Sequence, residues 1–342
     1  MLKPCRLSIL ISLGKRCSML QMCDIIEANK HFLNEEILSS LKYLSENFNI
    51  PVDKNVAVNY NWKVFANYFL CVDAIKGGDG SSAETYLRSA LGNLSSHTTL
   101  RGDSDYSRPK VMVIASHNID GDIATMLKDI YDKPDNDVND DGVYAFGPFS
   151  GDTEQECERI ENAFTIMSRV SPTYYGFVTS LIKQIVLVGQ TARGGIKSGS
   201  TLKTLGCIII SPNTKEEFSP VGQYIEDLVH EASHTRLFLE QTKDQLVNNP
   251  VVNLYAAPFR KDKRPMSGIY HANYVLGNIV SYFSQAVNAT PDDNVIHNEL
   301  FLARALQRYN ETYTLVEQDG DLTIRGRQIF DEMKAQVDKC LN

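Results

Sequence analysis

The stretch Leu228–Phe238, LVHEASHTRLF, places two histidines four residues apart, with a glutamate directly after the first. On an α-helix, positions i and i+4 lie on one face one turn apart, so His230 and His234 can aim two imidazoles at a common point. Neutral imidazole nitrogens are good donors to a divalent transition metal. Glu231 stands about 100° around such a helix, near enough to touch a metal-bound water or to orient a ligand. The helix is well marked. Ser219 followed by Pro220 is a cap residue and then proline at the first helical position, and the apolar pattern runs on to about Glu240.

Working outward, "QIVLVG" (184–189) and "CIIIS" (207–211) read as strands, joined by the Gly/Ser-rich loop "GGIKSGSTLKTLG" (194–206). An antiparallel pairing is expected of them. The loop is not a phosphate-binding P-loop, because its lysines are displaced from the position that motif requires. "RPKVMVIAS" supplies a further strand candidate at 110–115. Elsewhere helical spacing dominates: over 24–48, in "VFANYFLCVDAIK", "SSAETYLRSALGNL" and "GDIATMLKDIY", and in "GDTEQECERIENAFTIMSRVS" with its acidic first turn. Past the metal motif, helices are predicted at about 268–286, 292–309 and 326–341. The expected class is α+β, predominantly helical, with a small antiparallel sheet next to the HExxH helix. Two regions follow, 1–180 as a helical part and candidate peptide-recognition surface, and 181–342 as a metal-binding catalytic part; the two can form one continuous domain.

The chain has 342 residues, enough for a large core, and a formal charge of −8, which argues against a nucleic-acid partner. No apolar run reaches 18 residues, so no membrane span is expected. The start "MLKPCRLSILISLGKRC" has a short, serine-broken apolar stretch and no small-residue cleavage site, and reads as a first helix or a frayed start rather than a signal peptide. Seven scattered cysteines without a CxxC pair suit a reducing, cytoplasmic setting. Asp137-x-Asn139-x-Asp141-Gly142 fits the first half of a calcium loop, but Pro148 stands where the bidentate glutamate belongs, so a solvated turn is expected.

A third metal ligand must come from outside the helix. The metzincin pattern would need glycine at 237 and a ligand at 240; here Leu237 lets the helix continue, and Glu240 rotates off the histidine face. In another peptidase class the third ligand is a glutamate on a later helix, a role open to Glu299 in "VIHNELFLARAL", with His297 beside it. His271 in "SGIYHANYVLG" is the stronger candidate, at the start of a helix that a loop of about 30 residues can fold back onto the first. Just before it, "FRKDKRP" groups Arg260, Lys261, Lys263 and Arg264 in an otherwise acidic chain. Arginine grips carboxylates with two prongs, so a metal-chelating dicarboxylate would suit this cluster.

These pieces in this order resemble a known family, the HExxH-type 2-oxoglutarate-dependent peptide β-hydroxylases that accompany biosynthesis of ribosomally made, modified peptides. The likeness rests on "KSGSTLKTLG" into "CIIISP", on "YIEDLVHEASHTRLF", and on "YAAPFRKDKRPMSGIYHANYVLG" with the spacing between them. It covers about 197–280, with a weaker echo in "LIKQIVLV" and none in the first 180 residues. HExxH alone is unspecific; PFRxDxRPxxGxxH after it is much more specific. The resemblance implies iron(II) held by His230, His234 and His271, with 2-oxoglutarate on the metal. Its distal carboxylate would meet Arg264 or, second, Arg260, and the substrate would be a precursor peptide hydroxylated at a side-chain β-carbon. The more usual two-histidine, one-carboxylate site would instead bring Glu299 or Glu231 into the shell. A zinc peptidase with Glu231 as general base is the alternative from another class, and a non-catalytic peptide-binding protein is a third.

Overall fold

A computed structural model of the chain describes residues 7–96, 107–131, 146–191, 195–212, 218–258, 262–289 and 297–341, with 7–23 described in backbone alone. The first half runs α1 (Leu7–Asn47), β1 (Val56–Ala57), α2 (Trp62–Lys76), α3 (Gly80–Gly92), β2 (Ser95–Ser96), β3 (Lys110–Val113), α4 (Asp122–Tyr131), α5 (Thr153–Val170) and α6 (Pro172–Leu181). The second runs β4 (Gln184–Leu187), β5 (Ser198–Gly199), β6 (Cys207–Ile210), α7 (Pro220–Gln241), β7 (Leu254–Ala256), β8 (Lys263–Pro265), α8 (Met266–Ala289), α9 (Asn298–Asp319) and α10 (Ile324–Leu341). Local chemistry sets many of these starts. Asn61, Asp79, Asp152, Ser171 and Ser219 each accept a backbone N–H in the first turn of the helix that follows, each such cap contributing about 0.5–2 kcal/mol. The calcium-loop fragment at 137–148 lies almost wholly outside the described residues.

The fold is α+β and predominantly helical. Its largest sheet has the order β3-β4-β6-β5. The expected antiparallel pairing of "QIVL" with "CIII" is corrected here: β4 and β6 are parallel, in register Gln184↔Cys207 to Leu187↔Ile210, and β3 is parallel to β4. The antiparallel strand of this sheet is β5, which pairs with β6 through Ser198↔Ile210 and Gly199↔Ile209. Parallel strands are covered on both faces and so read as unbroken apolar runs; β4 and β6 are buried at every position. Alternate side chains sort to two cores. Val186, Val188, Cys207 and Ile209 pack with Trp62, Leu70 and Leu127 of α2 and α4. Ile185, Leu187, Ile208 and Ile210 pack with Phe177, Leu181, Ile225 and Leu228 of α6 and α7.

The larger of these cores runs without a break from Ile26 to Val337, so side chains on both sides of residue 180 share it. α8 and α9 form an antiparallel hairpin, fixed at one end by Phe283 stacked on Phe301 (centroids 4.8 Å apart) and at the other by Asn273 donating to Thr312 Oγ1 at 3.2 Å. α9 begins at Asn298 and continues to Asp319, ten residues past the predicted end. α10 crosses α8 where Gly277 lets Met333 approach: a Cβ built there would stand 2.4 Å from Met333 Sδ. Behind the two histidines of α7, Glu240 accepts Arg236, Arg325 and Asn29, tying α7 to α10 and α1. Among the described residues, no helix is long and apolar enough to cross a membrane.

Candidate metal centre

α7 offers one stripe, Glu226, His230, His234, Phe238 and Gln241, to a cavity of about 590 Å³; the first four recur every four residues, the spacing of one helix face. α8 closes the cavity with Ser267, His271, Val275 and Ile279, the β7–β8 hairpin adds Ala257 and Arg264, and α9 adds Arg308 and Thr312. α8 starts at Met266, two residues before the expected glycine, so His271 sits in its second turn.

The three sequence-predicted histidines line this one cavity, and two of them, His234 and His271, meet in it. The rings of His230 and His234 have centroids 4.9 Å apart, and His234 stacks on His271 at 5.5 Å. His234 Nδ1 lies 3.2 Å from His271 Nδ1. One of the two donates and the other accepts, which requires opposite protonation at these nitrogens. That separation also suits two ligands on one ion: at metal–nitrogen distances of about 2.1 Å, neighbouring donors stand about 3.0 Å apart in octahedral and about 3.4 Å apart in tetrahedral geometry. Burial holds the His271 pKa down at about 4, and burial, then the nearby His230 and His271, hold His234 well below the usual histidine range. Both imidazoles are therefore neutral at pH 7, the form that ligates metal. Among the described residues no three His, Cys, Asp or Glu donors are closed around one point. What the fold preassembles is the His234–His271 pair, with His230, 40% exposed, at its side.

Glu231 is 2% exposed and borders the same cavity. Its Oε2 accepts the Ser200 hydroxyl at 2.6 Å, and its Oε1 lies 4.0 Å from His230 Nε2. One turn earlier, Asp227 accepts Gln223 Nε2 at 3.1 Å; burial first, then Glu226 and Glu231, push its pKa well above the carboxylate range. Glu226 is ion-paired with Arg304 at 2.5 Å.

Arg264 lines the cavity from β8, with Nε 2.6 Å from Asp262 Oδ2. The cavity thus has a guanidinium in its wall beside the histidines. Arg260 and Lys261 lie outside the described residues. Glu299 is in the first turn of α9, exposed and away from the cavity lining, as is His297, the left-handed residue ahead of that helix. Neither joins the histidines. Glu240 points to Arg236 and Arg325, off the histidine face as the continuing helix requires.

The cavity residues not anticipated from the sequence include Glu226, Phe238, Ser200 and Arg308. Glu226 and Phe238 stand one turn before His230 and one turn after His234, so helical spacing alone could have flagged them. Ser200 and Arg308 carry no such signal, because their approach to the site depends on how a loop and a distant helix pack. A scan against protein-family models and a search of curated proteins each found no match to this chain.

Proposed function

We propose that this chain is an iron(II)- and 2-oxoglutarate-dependent oxygenase that hydroxylates a side-chain β-carbon of a ribosomally made precursor peptide. One observation carries the reading: His234 and His271, from separate helices, meet at 3.2 Å inside a cavity that Arg264 also lines. The resemblance across 197–280 supports it. His230, His234 and His271 are the candidate ligands. When bound, iron with 2-oxoglutarate and dioxygen supplies the oxidant that turns C–H into C–OH, the 2-oxoglutarate leaving as succinate and CO2.

The protein's own part is binding and orientation. The imidazoles are neutral, so no net positive charge has to be lost before they ligate, but the ring that donates from Nδ1 must shift that proton to Nε2 for its Nδ1 to face a metal. Arg264 offers a planar set of donors to a distal carboxylate, which would compete with Asp262 for them. Val275, Leu276 and Ile279 give the cavity an apolar flank that limits water. A volume of about 590 Å³ accommodates a five-carbon dicarboxylate together with a peptide side chain.

The test is succinate formation from 2-oxoglutarate by iron(II)-loaded protein, with and without a candidate precursor peptide. Arg264→Ala is expected to abolish turnover while leaving the fold intact. A zinc peptidase is the second reading, favoured by the buried Glu231 carboxylate bordering the same cavity, from which a general base could act on a bound water. Zinc at full occupancy, peptide cleavage stopped by Glu231→Gln and no succinate under any condition would replace the first reading with the second.

A further inference from the structure

We propose that Ser200 is a positioning residue for the metal centre: its hydroxyl fixes the plane of the Glu231 carboxylate and so leaves Oε1 on the His230 side. This rests on the reading of His230, His234 and His271 as metal ligands, and it gives a role to the Gly/Ser-rich loop that is not a phosphate site.

The loop backbone is held from three directions. β5 is paired to β6 at Ser198↔Ile210 and Gly199↔Ile209. Ser211 N donates to Lys197 O at 2.7 Å. Tyr131 Oη donates to Gly199 O at 3.2 Å. Gly199 is itself hemmed in, since a Cβ there would stand 3.2 Å from Ile196 Cγ2 and 3.3 Å from Tyr131 Cε1. Ser200 follows directly, and its Oγ reaches Glu231 Oε2 at 2.6 Å, the separation of a charge-assisted O–H···O⁻ bond.

The carboxylate needs such a partner. Glu231 is 2% exposed, and the final torsion of a glutamate side chain is broad, so nothing intrinsic fixes the carboxylate plane. With Oε2 held by Ser200, Oε1 faces His230 Nε2 at 4.0 Å, about 1 Å beyond a hydrogen bond. A small approach lets it accept from that ring or from a water bound beside it. Groups bonded directly to metal ligands typically change metal affinity about 10–100-fold when removed, and Ser200, acting one step further out through Glu231, belongs at the lower end of that range.

The experiment is titration of the metal-free full chain with Co(II), read by its visible absorption bands and by dissociation constant, for wild type, Ser200→Thr and Ser200→Val. Threonine and valine have nearly the same shape and differ by the hydroxyl. Ser200→Thr is expected to match wild type, and Ser200→Val to bind Co(II) about 10-fold more weakly with altered bands. In a Glu231→Ala background the Thr/Val difference should vanish. Circular dichroism and a thermal melt check each fold, and Ser200→Ala replaces the valine variant if that one does not fold. Wild-type affinity and spectrum in Ser200→Val, or a Thr/Val difference that survives Glu231→Ala, overturns the positioning role while the metal centre stands. A wild-type chain that binds no Co(II) overturns the metal centre and the positioning role together.

Discussion

Replacing Glu240 by glutamine tests the anchoring of the helix that carries both motif histidines. Three groups on three helices meet this carboxylate: Arg236, Arg325 (Nε at 3.0 Å and Nη2 at 2.9 Å) and Asn29 (Nδ2 at 3.1 Å). Together the two guanidinium groups outweigh the cost of burial and hold its pKa at about 2, against 4.5 for an ordinary glutamate. At about 1.4 kcal/mol per pH unit, that interval is worth about 3 kcal/mol, reduced to about 2 kcal/mol because solvent reaches the Arg325 side of the cluster. The substitution also leaves Arg236, whose side chain is only 7% exposed, with an acceptor but without its counter-charge, and breaking a buried ion pair costs about 3–5 kcal/mol in the severest cases. A loss of about 2–4 kcal/mol at pH 7 is expected, read from urea unfolding. A depressed carboxylate contributes in full above its unfolded value of about 4.5 and loses that contribution as pH falls through about 2, so the gap between wild type and variant should narrow across that window. Cobalt affinity should not change, because Glu240 faces away from the histidines. A variant within about 0.5 kcal/mol of wild type at pH 7, or a gap indifferent to acid, would refute the reasoning.

His234→Ala and His271→Ala should each remove stoichiometric Co(II) binding, measured by equilibrium dialysis, with little change in far-ultraviolet dichroism; retained binding in either would remove that residue from the ligand set. Arg264→Lys keeps a charge but not the two-pronged donor geometry, so the KM for 2-oxoglutarate should rise about 10-fold or more in a succinate assay. Gly277→Ala puts a methyl group 2.4 Å from Met333 Sδ and 3.2 Å from Tyr309 Cε2; overpacking of this kind should cost about 1–3 kcal/mol in chemical unfolding. Ser219→Ala removes the acceptor for Gly222 N, at 3.3 Å, and should cost about 1 kcal/mol in the same experiment.

Much of α7 is legible in the sequence. Serine and proline mark its start, the absence of glycine at 237 extends it past the histidines, and the i, i+4 spacing fixes which side chains share its inner face. His271 was legible as a neighbour of His234 because few histidines exist and one stands near the start of a helix after a basic loop. The sheet direction was misread for a physical reason. Antiparallel strands need only a short turn, whereas parallel ones need a longer crossover, and the segment from 188 to 206 is long enough for either. The better signal was burial. "IVLV" and "CIII" do not alternate polar with apolar, and an unbroken run points to a strand covered on both faces. Glu299 was a reasonable candidate by residue type, but its helix begins late, which leaves it in an exposed first turn. Ser200 and Arg308 depend on tertiary placement, which helical and strand periodicity do not encode.

The flank of α7 opposite the cavity has a practical meaning. Leu228, Val229, Ala232 and Leu239 are all 0% exposed and belong to the core that includes Ile26, Leu33, Ile160, Phe164 and Phe177 of the first half. A fragment cut at residue 181 would present that flank bare to water and prone to clump. Transplanting the histidine pair into another scaffold would mean carrying α1, α5 and α6 along with it, since the rod that bears it is seated in a socket made by the rest of the chain.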